Sequence, residues 1–151
     1  MFNINYKKYT DEFIKNNNIT SNVEYVVDKL SYENNLSEFL NNIFEKATSN
    51  SLIILVDAVV FHDDAYINTI YSSLNNEFKR IYQVNEILNI TNKYASLEYF
   101  IKFKDMVSIE NIDNSLINDI PENIKADMLI MDNGTLKKIN QNFAVYIFKK
   151  Y

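Results

Sequence analysis

The chain has 151 residues, a formal net charge of −5, no cysteine, no tryptophan, one glycine and one proline. These values exclude a disulfide framework, a thiol nucleophile and a glycine-rich loop that cradles phosphate through close backbone approach. The negative balance argues against sequence-independent nucleic-acid binding, which needs a basic footprint.

One domain over residues 1–151 is expected, long enough to bury about two-thirds of its unfolded surface. The abundance of Asn, Ile, Lys, Tyr and Phe is what an AT-rich genome produces without selection on function. The first residues, Met1 to Lys8, lack an apolar signal core. No later run reaches the length of a membrane span, so a cytoplasmic location is the expectation.

In chain order, Phe2, Tyr6, Tyr9 and Phe13 recur at helical spacing and predict an amphipathic helix that stops at Asn16-Asn17-Asn18. Ser21 and Glu24 have the spacing of a capping box and predict a short helix to about Leu30. The β-branched Val23, Val26 and Val27 leave a strand as the alternative. Leu36, Leu40, Ile43, Phe44 and Ala47 form a helix stripe, with Asn35 as its cap and Glu38 in its first turn.

Ser51–Phe61, SLIILVDAVVF, is the longest nearly unbroken apolar run. It reads as a strand over about residues 51–60 buried on both faces, each fully buried side chain contributing roughly 1.5–3 kcal/mol. His62-Asp63-Asp64 closes it, and Ile67, Ile70, Tyr71, Leu74 and Phe78 predict a helix capped by Asp63 or Asp64. The pattern of 81–90 is compatible with helix or strand. Leu97, Tyr99, Ile101 and Phe103 alternate with polar neighbours and predict a half-exposed strand.

Within 105–124, Val107, Ile109 and Ile112 could alternate as a strand, while Leu116, Ile117 and Ile120 suit one helical turn before Pro121. The weak periodicity of Asp105–Asp127 suggests a long surface excursion. Asp127–Lys138 then reads as a hairpin around Asp132-Asn133-Gly134, and Phe143–Phe148 as a final strand. The predicted class is α+β with α/β character. N-terminal helices pack on a mixed, mostly antiparallel sheet with a buried central strand and a C-terminal hairpin.

Three features could carry function. Asp57 interrupts the apolar run from inside, and a buried carboxylate needs either a sheet edge or pairing with a Lys, a Tyr or a backbone amide. His62, Asp63 and Asp64 stand where a strand meets a helix, where open α/β sheets bind ligands. With Asp57 they could hold a divalent metal or move a proton; an N-cap is the plainer reading. The stretch Asp105–Asp127 carries Asp105, Glu110, Asp113, Asp119, Glu122 and Asp127 against Lys125 alone, which offers an acidic surface to a basic partner.

A small, acidic, cysteine-free chain without catalytic motifs is similar in general character to bacterial immunity proteins. The resemblance implies a one-to-one complex with a cognate toxin domain, often a basic nuclease, with neither catalysis nor a cofactor. The charge reading places its contacts at Asp105, Glu110, Asp113, Asp119 and Glu122, with Asp63 and Asp64 second. Two alternatives stand beside it. One is a metal-dependent hydrolase using Asp57, His62, Asp63 and Asp64; the other is a phage-type structural or adaptor subunit.

Overall fold

The computed structural model describes residues 4–19, 22–59, 81–108, 129–132 and 135–151, together with 118, 121–123 and 125. The predicted helix over 67–78, the apex of the predicted hairpin at Asn133-Gly134 and most of the 105–124 excursion lie outside the described residues.

Helix α1, Lys7–Asn16, lays Tyr9 and Phe13 on the sheet, with ring centroids 4.8 Å from Phe103 and 5.1 Å from Tyr99. It stops as the asparagines predict. Asn17 donates to the Phe13 carbonyl through its backbone N–H (3.1 Å) and through Nδ2 (2.9 Å), and Asn18 turns the chain at φ 50°.

The next segment corrects the helix expectation: Val23–Val27 is strand β1. Three valines in five residues suit a pleated surface, and the long apolar strand that follows offers them an edge to pair with. β1 lies parallel to β2, Leu52–Ala58, with Val23 opposite Leu52 and Val27 opposite Val56. Parallel neighbours need a crossover, and α2, Leu36–Lys46, supplies it after a single 3₁₀ turn at Leu30–Tyr32. Asn35 caps α2 by accepting from the Glu38 N–H at 3.1 Å. At the other end Lys150 Nζ donates to the Phe44 carbonyl at 2.6 Å, where a cation also complements the helix dipole.

All seven residues of β2 are buried. Helix α3, Val84–Thr91, resolves the ambiguous 81–90 stretch. A capping box decides it, with the Gln83 N–H donating to Glu86 Oε2 at 2.8 Å. β3 then runs Ala95–Ser108, so Asp105 belongs to a strand. β4, Leu129–Asp132, and β5, Thr135–Lys150, are antiparallel neighbours as the hairpin predicts. The two predicted C-terminal strands are one continuous element of 16 residues.

The sheet order is β1-β2-β5-β3, with β4 beside the first part of β5. Among the described residues only the β1–β2 pair is parallel. Side-chain alternation divides the core in two. Ile54, Val56, Val145 and Ile147 face α1, while Ile53, Leu55, Tyr146 and Phe148 face α2 and α3. The described elements are therefore three layers, helix on sheet on helix.

Phe44 is fully buried on α2, edge-on to Phe148 at 5.2 Å. Phe44→Ala should destabilise the fold by about 3–5 kcal/mol in urea denaturation, through lost burial and the cavity left behind.

Candidate functional site

Because β1 and β2 are parallel, both release the chain at the same edge of the sheet. Beyond β1 the Asp28 N–H still donates to the Val56 carbonyl at 2.8 Å, and Asp28 then turns the chain at φ 54°. The next two amides, of Lys29 and Leu30, both point at Asp57 Oδ2, each at 2.9 Å. Ser31 Oγ donates to Oδ1 at 3.3 Å, as does the Ala58 N–H at 3.2 Å. Consecutive amides after a left-handed residue form a concavity suited to an anion. Here the anion is the protein's own.

The expectation that Asp57 finds backbone amides is met, at 3% exposure. Burial pushes its carboxyl up. The Leu30 amide draws it down, the nearby Asp28 carboxyl pushes it up again, and the Lys29 amide and Ser31 hydroxyl draw it down. Burial outweighs the donors, and the group lies at about 7. Tyr146 of β5 faces the same layer. Its hydroxyl has no hydrogen-bond partner among the described residues, and burial followed by the charge of Asp57 pushes it well above the usual phenol range.

The chain leaving this clasp forms one wall of a surface groove of about 340 Å³, whose lining includes Tyr32, Glu33, Asn35, Glu38, Phe39 and Asn42. Tyr82 Oη fixes that wall by donating to the Glu33 carbonyl at 2.8 Å. A larger cavity of about 420 Å³ lies at the amino end of β2, between Phe13, Ile19, Asn50, Leu52 and Lys149. Its position at the opposite edge from Asp57 separates it from the buried carboxyl, so the smaller groove is the better candidate.

His62, Asp63, Asp64, Glu110, Asp113 and Asp119 lie outside the described residues. Asp105 is partly buried on β3, where Oδ2 accepts from the Asn5 N–H at 3.3 Å. Glu122 is exposed and pairs with Lys125 at 3.2 Å. No described contact joins these two acids. Among the described residues no three His, Cys, Asp or Glu side chains are grouped to hold a metal ion. Composition and motif reading missed the partners of Asp57, namely Asp28, Ser31 and Tyr146. The one available signal was an Asp directly after a valine in each of two apolar stretches, Asp28 after Val27 and Asp57 after Val56.

Neither a family model nor a curated protein matches the chain. Solved structures do. A protein of Bacillus halodurans assigned as a methyltransferase superposes with TM-score 0.73 at 12% identity, over 94% of this chain and 77% of that one. The YcgJ protein of Bacillus subtilis superposes with TM-score 0.74 at 8% identity, over 95% of this chain and 77% of that one. The chain therefore shares the fold of these two structures.

That finding corrects the resemblance to immunity proteins, and with it the toxin partner and the non-enzymatic reading. Size, charge and missing motifs are shared by many folds, whereas strand order and crossover are not. The neighbours likewise give no support to the metal-dependent hydrolase or the phage-type subunit. No described helix is long and apolar enough to cross a membrane.

Asp57→Ala would leave the Lys29 and Leu30 amides buried without an acceptor. It should destabilise the protein by about 2–4 kcal/mol in chemical denaturation, and Asp57→Asn, which keeps an acceptor, by clearly less.

Proposed function

We propose that the chain is an enzyme of the methyltransferase fold that holds a small-molecule substrate in the groove at the carboxyl edge of β1 and β2. The observation that carries this reading is the position of the groove. It is lined by the segment that follows β1 and by the start of α2, beyond the carboxyl end of a parallel strand, where open α/β sheets bind ligands, in a fold shared with a protein assigned as a methyltransferase. The single-domain organisation over 1–151 is part of the same proposal.

The reaction would move a methyl group to a nucleophilic atom of the substrate. A bound methyl donor would supply the transferred group; this chain's own part is to bind and orient the substrate and to offer a base for any proton on its nucleophilic atom. Tyr32 and Phe39 offer apolar faces to the substrate, and Glu33 and Glu38 offer carboxylates that can orient a polar hydrogen and accept it. The described edge does not fit a methyl donor that needs free backbone amides. Asp57 already takes the amides of Lys29 and Leu30, and every residue from 28 to 35 carries a side chain that limits backbone approach. The roles assigned here are therefore binding, orientation and proton acceptance.

The test is transfer of an isotopic methyl label from a donor to a pool of small-molecule acceptors by the purified protein. Labelled product is expected, with Glu38→Gln lowering its rate at least about tenfold, the order of effect of removing one positioned base. Absence of labelled product, or equal rates for the variant, would contradict the reading.

A further inference from the structure

The larger cavity, of about 420 Å³, lies beside the carboxyl end of α1, at the edge of the sheet opposite Asp57. Its volume falls among those of small-molecule sites, about 300–1,000 Å³. Phe13 of α1, Ile19 just beyond it and Leu52 at the start of β2 give it an apolar floor. Glu98 of β3, Lys149 of β5 and Asn50 give it polar walls.

The strand register brings Glu98 to this cavity. Leu97 pairs with Phe148 and Tyr99 with Ile147, so β3 carries one extra residue, Glu98, against β5. Alternation along β3 puts Glu98 on the same face as Ser96, which lies opposite Lys149. The bulge then resets the phase, and Tyr99 faces α1 as well, 5.1 Å from Phe13. A carboxylate and an aromatic ring thus stand side by side where an unbroken strand would present only one of them. Ser96 Oγ donates to Glu98 Oε1 at 3.0 Å and steadies the carboxylate. Asn50, at φ 67°, is fixed by its N–H to the Lys150 carbonyl at 2.9 Å. Although Glu98 and Lys149 line one cavity, neither forms an ion pair with the other or with another of the described residues.

We propose that this cavity is a second small-molecule site, and that it takes a free α-amino acid with an apolar side chain. Such a zwitterion matches the lining in each part. Its ammonium meets Glu98 beside the carboxyl end of α1, where the helix dipole also favours a cation. Its carboxylate meets Lys149, and its side chain covers Phe13, Ile19 and Leu52. A phosphate or a dicarboxylate would bring negative charge against Glu98, and a simple amine would leave Lys149 without a counter-charge. The site lies across the sheet from the groove and requires no methyl transfer, so it stands or falls apart from the proposed function.

NMR of the full chain, titrated with L-leucine at neutral pH, reads this binding directly. Saturable shifts are expected at Phe13, Ile19, Leu52 and Lys149. Glycine, which lacks the apolar side chain, should bind at least about tenfold more weakly. 3-Methylbutylamine and 4-methylpentanoate each keep one charge of leucine, and each should lose about two- to fivefold, the order of effect of one exposed ion pair. Glu98→Gln should erase the difference between leucine and 4-methylpentanoate, and Lys149→Gln that between leucine and 3-methylbutylamine. Both positions are exposed, and unchanged shifts away from the cavity verify that each variant folds. Absence of saturable shifts at the cavity, glycine binding as well as leucine, or differences that persist in the two variants would overturn the assignment.

Discussion

The buried seven-residue strand β2 imposes the constraint from which the rest follows. A strand without access to water must have every backbone group paired and both faces covered. β1 and β5 pair its two edges, and α1 on one side and α2 with α3 on the other cover its faces. Pairing β1 in parallel brings the ends of both strands to one edge of the sheet. The polar atoms at those ends must then satisfy one another, which they do through Asp57 and the turn after Asp28.

Much of this was legible in residue pattern. The apolar run gave β2 and the three-and-four spacing gave α1 and α2, because burial of one face dominates local preference. The 21–30 stretch was misread because a Ser and a Glu three apart mimic a capping box. Val23, Val26 and Val27 pack well as a strand beside β2, and only the neighbouring β2 reveals that need. The join of two predicted C-terminal strands into one β5 was hidden for a similar reason. Ile139 and Gln141 continue the alternation only because β3 pairs across them, with Val107 and Asp105 as partners.

The site was half legible. A lone carboxyl inside an apolar run announced that Asp57 needs partners, and backbone amides were among those expected. Which amides could not be read, because Lys29 and Leu30 are almost thirty residues away and reach Asp57 only through the parallel crossover. The functional class was not legible at all. Charge and composition describe a surface, and an acidic surface suits many folds. Asp105 shows the difference. Read as an acid awaiting a basic partner, it is a strand residue that anchors the Asn5 amide of its own chain.

The central claim is that the edge where β1 and β2 end is organised by a buried carboxyl poised between its two protonation states. The most direct measurement is the carboxyl carbon shift of isotopically labelled Asp57 followed against pH in the folded protein. A midpoint near 7 is the result this account predicts. A midpoint at or below the ordinary 3.8 would contradict it, and would make Asp57 a permanently charged structural anchor.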